Sequence, residues 1–126
     1  MRLLVTGGAG FIGSNYILNN IEKNIILNFD KLTYAGNIEN LKSLKDNHNY
    51  IFQKGDINNF ELLDKTISDF NPDSIINFAA ESHVDRSIDD PTNFIKSNIL
   101  GTYELLKSSL KFYNKLKKDK KKLFKV

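Results

Sequence analysis

The stretch that most constrains this chain is Leu3-Leu4-Val5-Thr6-Gly7-Gly8-Ala9-Gly10-Phe11-Ile12-Gly13-Ser14: an apolar run, a knot of glycines, then the opening of a helical pattern. Glycine admits backbone dihedrals closed to other residues and lets a ligand approach the main chain. A helix that starts there points unpaired N–H groups at whatever enters, so an anion is the natural guest. Gly8, Gly10 and Gly13 satisfy G-x-G-x-x-G, while Gly7, Gly10 and Gly13 satisfy G-x-x-G-x-x-G. Placed between a strand and a helix near the N-terminus, this spacing has the context of a dinucleotide-binding turn.

The rest of the chain repeats the strand-then-helix unit. The first strand is predicted over Arg2 to Thr6, followed by a helix from about Phe11. Phe11, Ile12, Ile17, Leu18 and Ile21 are expected to keep the sides of that helix apolar enough to lie against a sheet. Ile25 to Asp30 reads as a buried parallel strand ending in an acid. A turn at Tyr34-Ala35-Gly36-Asn37 leads into a short helix carrying Ile38, Leu41 and Leu44, and Tyr50 to Gln53 forms strand three. Asn58 or Asn59 can cap the next helix, where Phe60, Leu63, Ile67 and Phe70 recur at helical spacing until Asn71-Pro72 stops it. Strand four is Ser74 to Phe78. Asp90-Pro91 starts a helix to about Tyr113, with Gly101 permitting a close backbone approach.

Leu123-Phe124-Lys125-Val126 reads as the first residues of a fifth strand. The fold class expected is therefore α/β: a Rossmann-type doubly wound parallel sheet, truncated after about four strands plus the start of a fifth, with residues 1–126 as one domain.

Composition narrows the chemistry. The chain has no cysteine, which excludes disulfides and thiolate catalysis, and His48 and His83 are too few for a histidine-rich metal site, so no metal is expected. No apolar run approaches the roughly 20 residues of a membrane span, and the N-terminus enters a strand instead of a signal peptide; a cytoplasmic location without membrane contact is expected. Charge is unevenly spread. Residues 1–106 carry nine Lys and Arg against fourteen Asp and Glu, and residues 107–126 carry nine Lys against Asp119 alone. The run Lys117-Lys118-Asp119-Lys120-Lys121-Lys122 lacks the aromatic platform or base-reading motif of a nucleic-acid binder, so it reads as a solvated helix end with no nucleic-acid partner.

Three segments carry chemistry. Asp30 lies 20 residues beyond Gly10 at the end of strand two, where a carboxylate accepts hydrogen bonds from the adenosine ribose and repels a 2′-phosphate. NAD is the cofactor expected, although the neighbouring Lys31 could tolerate a phosphate. Gly55-Asp56-Ile57 follows strand three, where an Asp can accept from an adenine amine and an Ile can cover the ring. Phe78-Ala79-Ala80-Glu81-Ser82-His83-Val84-Asp85-Arg86-Ser87 follows strand four and should face the ligand crevice. Its Ala79-Ala80 pair lets a dinucleotide pass close to the backbone. Adjacent Glu81, Ser82 and His83 point in different directions and form no catalytic triad, while His83, Asp85 and Arg86 are expected to fix the loop through local pairing.

Together the glycine stretch, Asp30-Lys31-Leu32-Thr33-Tyr34-Ala35-Gly36-Asn37, Gly55-Asp56-Ile57, the segment from Ala79 to Ile88 and Asn98-Ile99-Leu100-Gly101-Thr102 resemble the dTDP-glucose 4,6-dehydratases, extended short-chain dehydrogenase/reductases, along nearly the whole chain. UDP-glucose 4-epimerases and UDP-glucuronate decarboxylases of the same superfamily differ in the second and fourth of these segments. The resemblance implies an NAD site lined by Gly7, Gly10, Phe11, Ile12 and Gly13, by Asp30, Lys31, Leu32 and Thr33, by Asp56 and Ile57, and by Phe78, Ala79, Ala80, Glu81 and Ser82, with Ser82 also touching the sugar. Ser97 stands where the family usually has Thr and keeps the hydroxyl.

Members of this family oxidise the glucose 4-hydroxyl by hydride transfer to NAD, eliminate water across C5 and C6, and return the hydride to C6. The resemblance places their Thr-Asp-Glu and Tyr-x-x-x-Lys motifs beyond Val126, so both are expected to be missing and no catalytic residue is assigned. It also implies a homodimer in which the helix from Pro91 supplies half of an interface helix pair. The chain alone is expected to be marginally stable and inactive. The alternative reading is a non-catalytic NAD-binding remnant, or a split half that needs a complementary chain.

Overall fold

A computed structural model describes residues 1–34, 36–82, 88 and 91–126. Four strands, β1 (Arg2–Thr6), β2 (Ile25–Asp30), β3 (Tyr50–Lys54) and β4 (Ser74–Asn77), form one parallel sheet in the order β3-β2-β1-β4. The chain winds outward from β1 to β3, then crosses back to place β4 on the other side of β1. That reversal opens a crevice at the carboxyl ends of β1 and β4, where open α/β sheets take their ligands.

The period-2 alternation of strand side chains divides the core between two faces. Leu3, Val5 and Ile26 pack with Ile17 and Ile21 under α1 (Phe11–Asn20) and with Leu41 and Leu44 of a 3-10 segment, Ile38–Leu44. Leu4, Leu27, Phe29 and Ile75 face the other way, onto Leu63, Ile67 and Phe70 of α2 (Phe60–Phe70) and onto Leu105 and Phe112. Covered on both faces, the sheet is doubly wound, as the alternation of strands and helices predicts.

Asn59 settles the choice of cap for α2, its side chain accepting from the Leu62 N–H at 3.1 Å, while Asn58 is drawn to Asp56 instead. Asn71 ends α2 in a left-handed conformation, φ 50°, with its N–H on the Ile67 carbonyl, which turns the chain before Pro72.

The long helix is not uniform. A short α3 (Pro91–Phe94) passes through a π-helical segment, Ile95–Gly101, into α4 (Thr102–Lys115), and Phe94 and Gly101 keep helical dihedrals at the junctions. A Cβ at Gly101 would come within 3.0 Å of the Ile57 side chain, which bears out the close approach expected there.

Two expectations change. Phe11 and Ile12 do not lie against the sheet: they are 82% and 67% exposed, because the first turn of α1 projects past the strand ends and only Gly13, Ser14 and Ile17 of the helix are buried. Leu123 is not in a fifth strand but ends α5 (Lys118–Leu123); only Lys125 bridges Ser74, its carbonyl accepting from the Ile75 N–H at 2.9 Å. The capping role of Asp90 and the pairing of His83, Asp85 and Arg86 lie outside the described residues. Among those described, no helix is long and apolar enough to cross a membrane, and no group of acids and histidines could hold a metal ion.

Candidate functional site

The glycine turn sits directly over the crevice. Gly7 has φ +68°, donates its N–H to the Phe29 carbonyl at 3.0 Å, and lies so close to the chain leaving β4 that a Cβ would stand within 3.0 Å of Ala79 N and Phe78 C. A Cβ at Gly13 would meet the Gly7 carbonyl as closely, which fixes the helix against the turn. Gly10 is the N-cap of α1 and contributes no side-chain cap, so donors of the first turn stay available to an anion at the crevice.

Asp30, 7% exposed at the end of β2, organises the second wall. One carboxylate oxygen accepts from the Ala9 N–H at 2.8 Å and the other from the Leu32 N–H at 2.7 Å. The second bond requires a sharp turn, and Leu32 supplies it with φ 57°, a conformation costly for a residue bearing a Cβ and persisting where surrounding contacts impose it. An ionised carboxylate has about four acceptor sites, so Asp30 ties the glycine turn to β2 and keeps acceptor capacity for a ligand hydroxyl.

Asp56 forms the third wall. Its Oδ1 accepts from Asn58 N and Nδ2, at 2.9 and 3.0 Å, and its Oδ2 pairs with Lys31 Nζ at 2.7 Å. Burial alone would push this carboxyl up; the Lys31 ammonium and the Asn58 donors outweigh it and hold it below its ordinary value.

The fourth wall is the loop after β4, docked on the π-helical segment. Asn98 accepts from the Glu81 N–H at 2.8 Å and donates to the Glu81 carbonyl at 2.9 Å, reading both main-chain groups with one carboxamide. Tyr34 donates to Glu81 Oε2 at 2.7 Å, linking the loops that follow β2 and β4. A π-helical turn often marks such a site, because its extra residue redirects a side chain.

One cleft thus gathers Gly7 and Gly10, Asp30, Lys31 and Thr33, Asp56 and Ile57, Phe78, Ala79, Ala80 and Glu81, and Ser97. Gly13 stands behind it, Leu32 contributes its backbone turn, and Phe11, Ile12 and Ser82 are exposed outside its lining. Phe29, Gly36 and Gly55 also line it and were not singled out as site residues. The signals for the two glycines are their place in polar turns just after strands two and three and in the segments Asp30 to Asn37 and Gly55-Asp56-Ile57.

The Tyr-x-x-x-Lys spacing, expected to be missing, does occur three times, at Tyr50 and Lys54, Tyr103 and Lys107, and Tyr113 and Lys117. None borders the cleft. Tyr50 lies in edge strand β3 and accepts from Asn28; burial raises its hydroxyl pKa, the Asn28 bond opposes this and the Asp30 charge adds to it, the reverse of what a catalytic base needs. Lys107 is over the Phe60 ring at 4.2 Å, and Tyr113 packs on Phe124.

A doubly wound parallel sheet whose glycine turn, buried strand-end acid and small-residue loop converge on the switch-point crevice defines a Rossmann-type dinucleotide-binding fold. Within that class the chain belongs to the GDP-mannose 4,6 dehydratase family, whose profile matches residues 4–126. It is 46% identical over 127 residues to a dTDP-glucose 4,6-dehydratase of Shigella flexneri, covering 98% of this chain and 35% of that protein. Among solved structures, the dTDP-glucose 4,6-dehydratase of Bacillus anthracis in complex with NAD is 47% identical with a TM-score of 0.75, over 90% of this chain and 34% of that one. The Streptomyces venezuelae dTDP-glucose 4,6-dehydratase, also with NAD bound, is 41% identical with a TM-score of 0.82, over 89% and 36%. The chain spans about a third of the length of the relatives it matches.

Proposed function

We propose that residues 1–126 form one NAD-binding domain of a cytoplasmic dTDP-glucose 4,6-dehydratase, acting in deoxysugar and cell-surface polysaccharide synthesis. The observation that carries this reading is the Asp30 carboxylate, buried beneath the glycine turn and holding the Ala9 N–H in the same cleft that Gly7, Gly10 and Ala79 line. The donor set fits the group: main-chain N–H groups at the start of α1 for the pyrophosphate, Asp30 for the ribose, Asp56 and Ile57 for the adenine, and small Ala79 and Ala80 where the dinucleotide passes. Bound NAD would supply the reversible hydride acceptor for oxidation at the sugar C4. The residues of this chain bind and orient it, with Ser82 reaching toward the sugar, and no proton-transfer step is assigned to them. Calorimetric titration of the chain with NAD is expected to give one site per chain. A folded chain that takes up no NAD would refute the cofactor reading.

The partner proposed is a second copy. Ile95, Ile99, Tyr103, Leu106 and Leu110 recur at helical spacing along residues 91–115, and each is at least half exposed. The opposite face buries Leu105, Ser108, Ser109 and Phe112. An exposed apolar stripe of this length marks a protein interface, and a self-complementary helix pair related by a twofold axis would cover it. Light scattering after size exclusion is expected to show a dimer, and Leu106→Glu is expected to shift it to monomer. A wild-type chain monomeric at all concentrations would argue against the helix pair.

A further inference from the structure

We infer that the Lys31–Asp56 ion pair is a specificity lock: Asp56 occupies and neutralises the one cation that, among the described residues, lines the cleft with Asp30, and so excludes a 2′-phosphorylated dinucleotide. This rests on the NAD reading above and deepens it. Asp30 by itself disfavours a phosphate on the adenosine ribose, but the residue after it is a lysine, and a basic side chain in this position is what NADP-binding folds use to accommodate that phosphate. Among the described residues lining the cleft, Lys31 is the one cation. Left free, it would offset Asp30 and make the corner tolerant of both cofactors.

The geometry assigns that ammonium elsewhere. Lys31 Nζ stands 2.7 Å from Asp56 Oδ2, although the lysine side chain is 59% exposed and could extend into solvent. Asn58 donates twice to Asp56 Oδ1 and thereby turns Oδ2 toward the lysine. The carboxylate is thus orientated before any ligand arrives, and the corner carries Asp30 and Asp56 against Lys31, a net charge of −1. A 2′-phosphate would have to break the pair and then face two carboxylates. The Asp56 lock is therefore as much a part of NAD selectivity as Asp30.

The test is a ratio, because NAD and NADP share every other contact and a general loss of affinity cancels. Dissociation constants for both are measured by calorimetry on the wild-type chain, Asp56→Asn, Lys31→Met and the double variant. Asp56→Asn is expected to lower Kd(NADP)/Kd(NAD) about tenfold, the worth of one charge-assisted contact. That gain is expected to vanish in the double variant, since it acts through the freed lysine. Lys31→Met alone should hold the ratio at or above its wild-type value, since it frees no cation and leaves both carboxylates uncompensated. An unchanged ratio in Asp56→Asn overturns the lock, as does a gain that survives without Lys31, which would be plain removal of negative charge. A wild-type chain that binds neither dinucleotide refutes the cofactor reading and the lock with it, whereas normal NAD binding with an unmoved ratio refutes the lock alone.

Discussion

Gly7→Ala is expected to lower the stability of the chain by about 3 kcal/mol, combining a left-handed residue that gains a Cβ with overpacking against a fixed neighbour. Gly7 is held at φ +68° by its hydrogen bond to Phe29 and by the turn that its own carbonyl closes with Gly10 N at 3.2 Å. The atoms a Cβ would strike are main-chain atoms of Phe78 and Ala79, which cannot rotate aside as a flexible side chain would. Relief therefore requires the glycine turn and the β4 loop to part, and these are two walls of the cleft. Loss of NAD affinity should accompany the loss of stability. Gly36→Ala is the milder comparison: a Cβ there would sit 3.0 Å from Asp30 Oδ1 and 3.3 Å from Leu32 Cα, contacts that need only a few tenths of an ångström of adjustment, at a φ outside the left-handed region, and its loss of stability is expected to be the smaller. Urea denaturation of both variants decides the matter. A Gly7→Ala chain within about 0.5 kcal/mol of wild type, the range of ordinary surface changes, would mean that the turn does not hold this conformation.

The frame was legible because each strand announced itself twice, by an apolar run and by the punctuation after it. β1 and β2 fall where Leu3 to Val5 and Ile25 to Phe29 predict them, and Asn71-Pro72 ends α2 as its chemistry requires. Much of the cleft was legible for the same reason: in a parallel sheet every residue just past a strand lies at one end, so Asp30, Asp56 and Ala79 converge with no further information. What could not be read were features set by partners distant in sequence. Phe11 and Ile12 look like core residues by composition, yet the sheet beneath them ends before they do. The π-helical turn has no sequence signature, since its position follows from Gly101 packing on Ile57 and Asn98 docking on Glu81. The lysine-rich segment forms α5 because Lys117 to Lys122 are good helix formers, and the strand propensity of Leu123 to Val126 gives way until Lys125 reaches Ser74.

Asp30→Ala is expected to weaken NAD binding about a hundredfold while destabilising the chain by about 2 kcal/mol, and the two effects have separate causes. The stability term comes from the main chain. Ala9 is fully buried, its N–H has Asp30 Oδ2 as partner at 2.8 Å, and alanine would leave that donor unsatisfied in the core. The binding term comes from losing both the acceptor for the ribose and the tie that sets the height of the glycine turn above β2. Asp30→Asn separates them. Its amide oxygen can keep one of the two N–H partners, but its NH2 must then face the other donor, Ala9 N–H or Leu32 N–H, so stability falls by less than in alanine while the charge that disfavours a 2′-phosphate is gone. The expected order of stability is aspartate, asparagine, alanine. The asparagine variant alone should gain on NADP relative to NAD, because it keeps the turn in place. If Asp30→Ala matched wild type in denaturation, the Ala9 contact would contribute nothing. If it bound NAD with undiminished affinity, the ribose would have to be held from another wall, leaving Asp30 a purely structural acid.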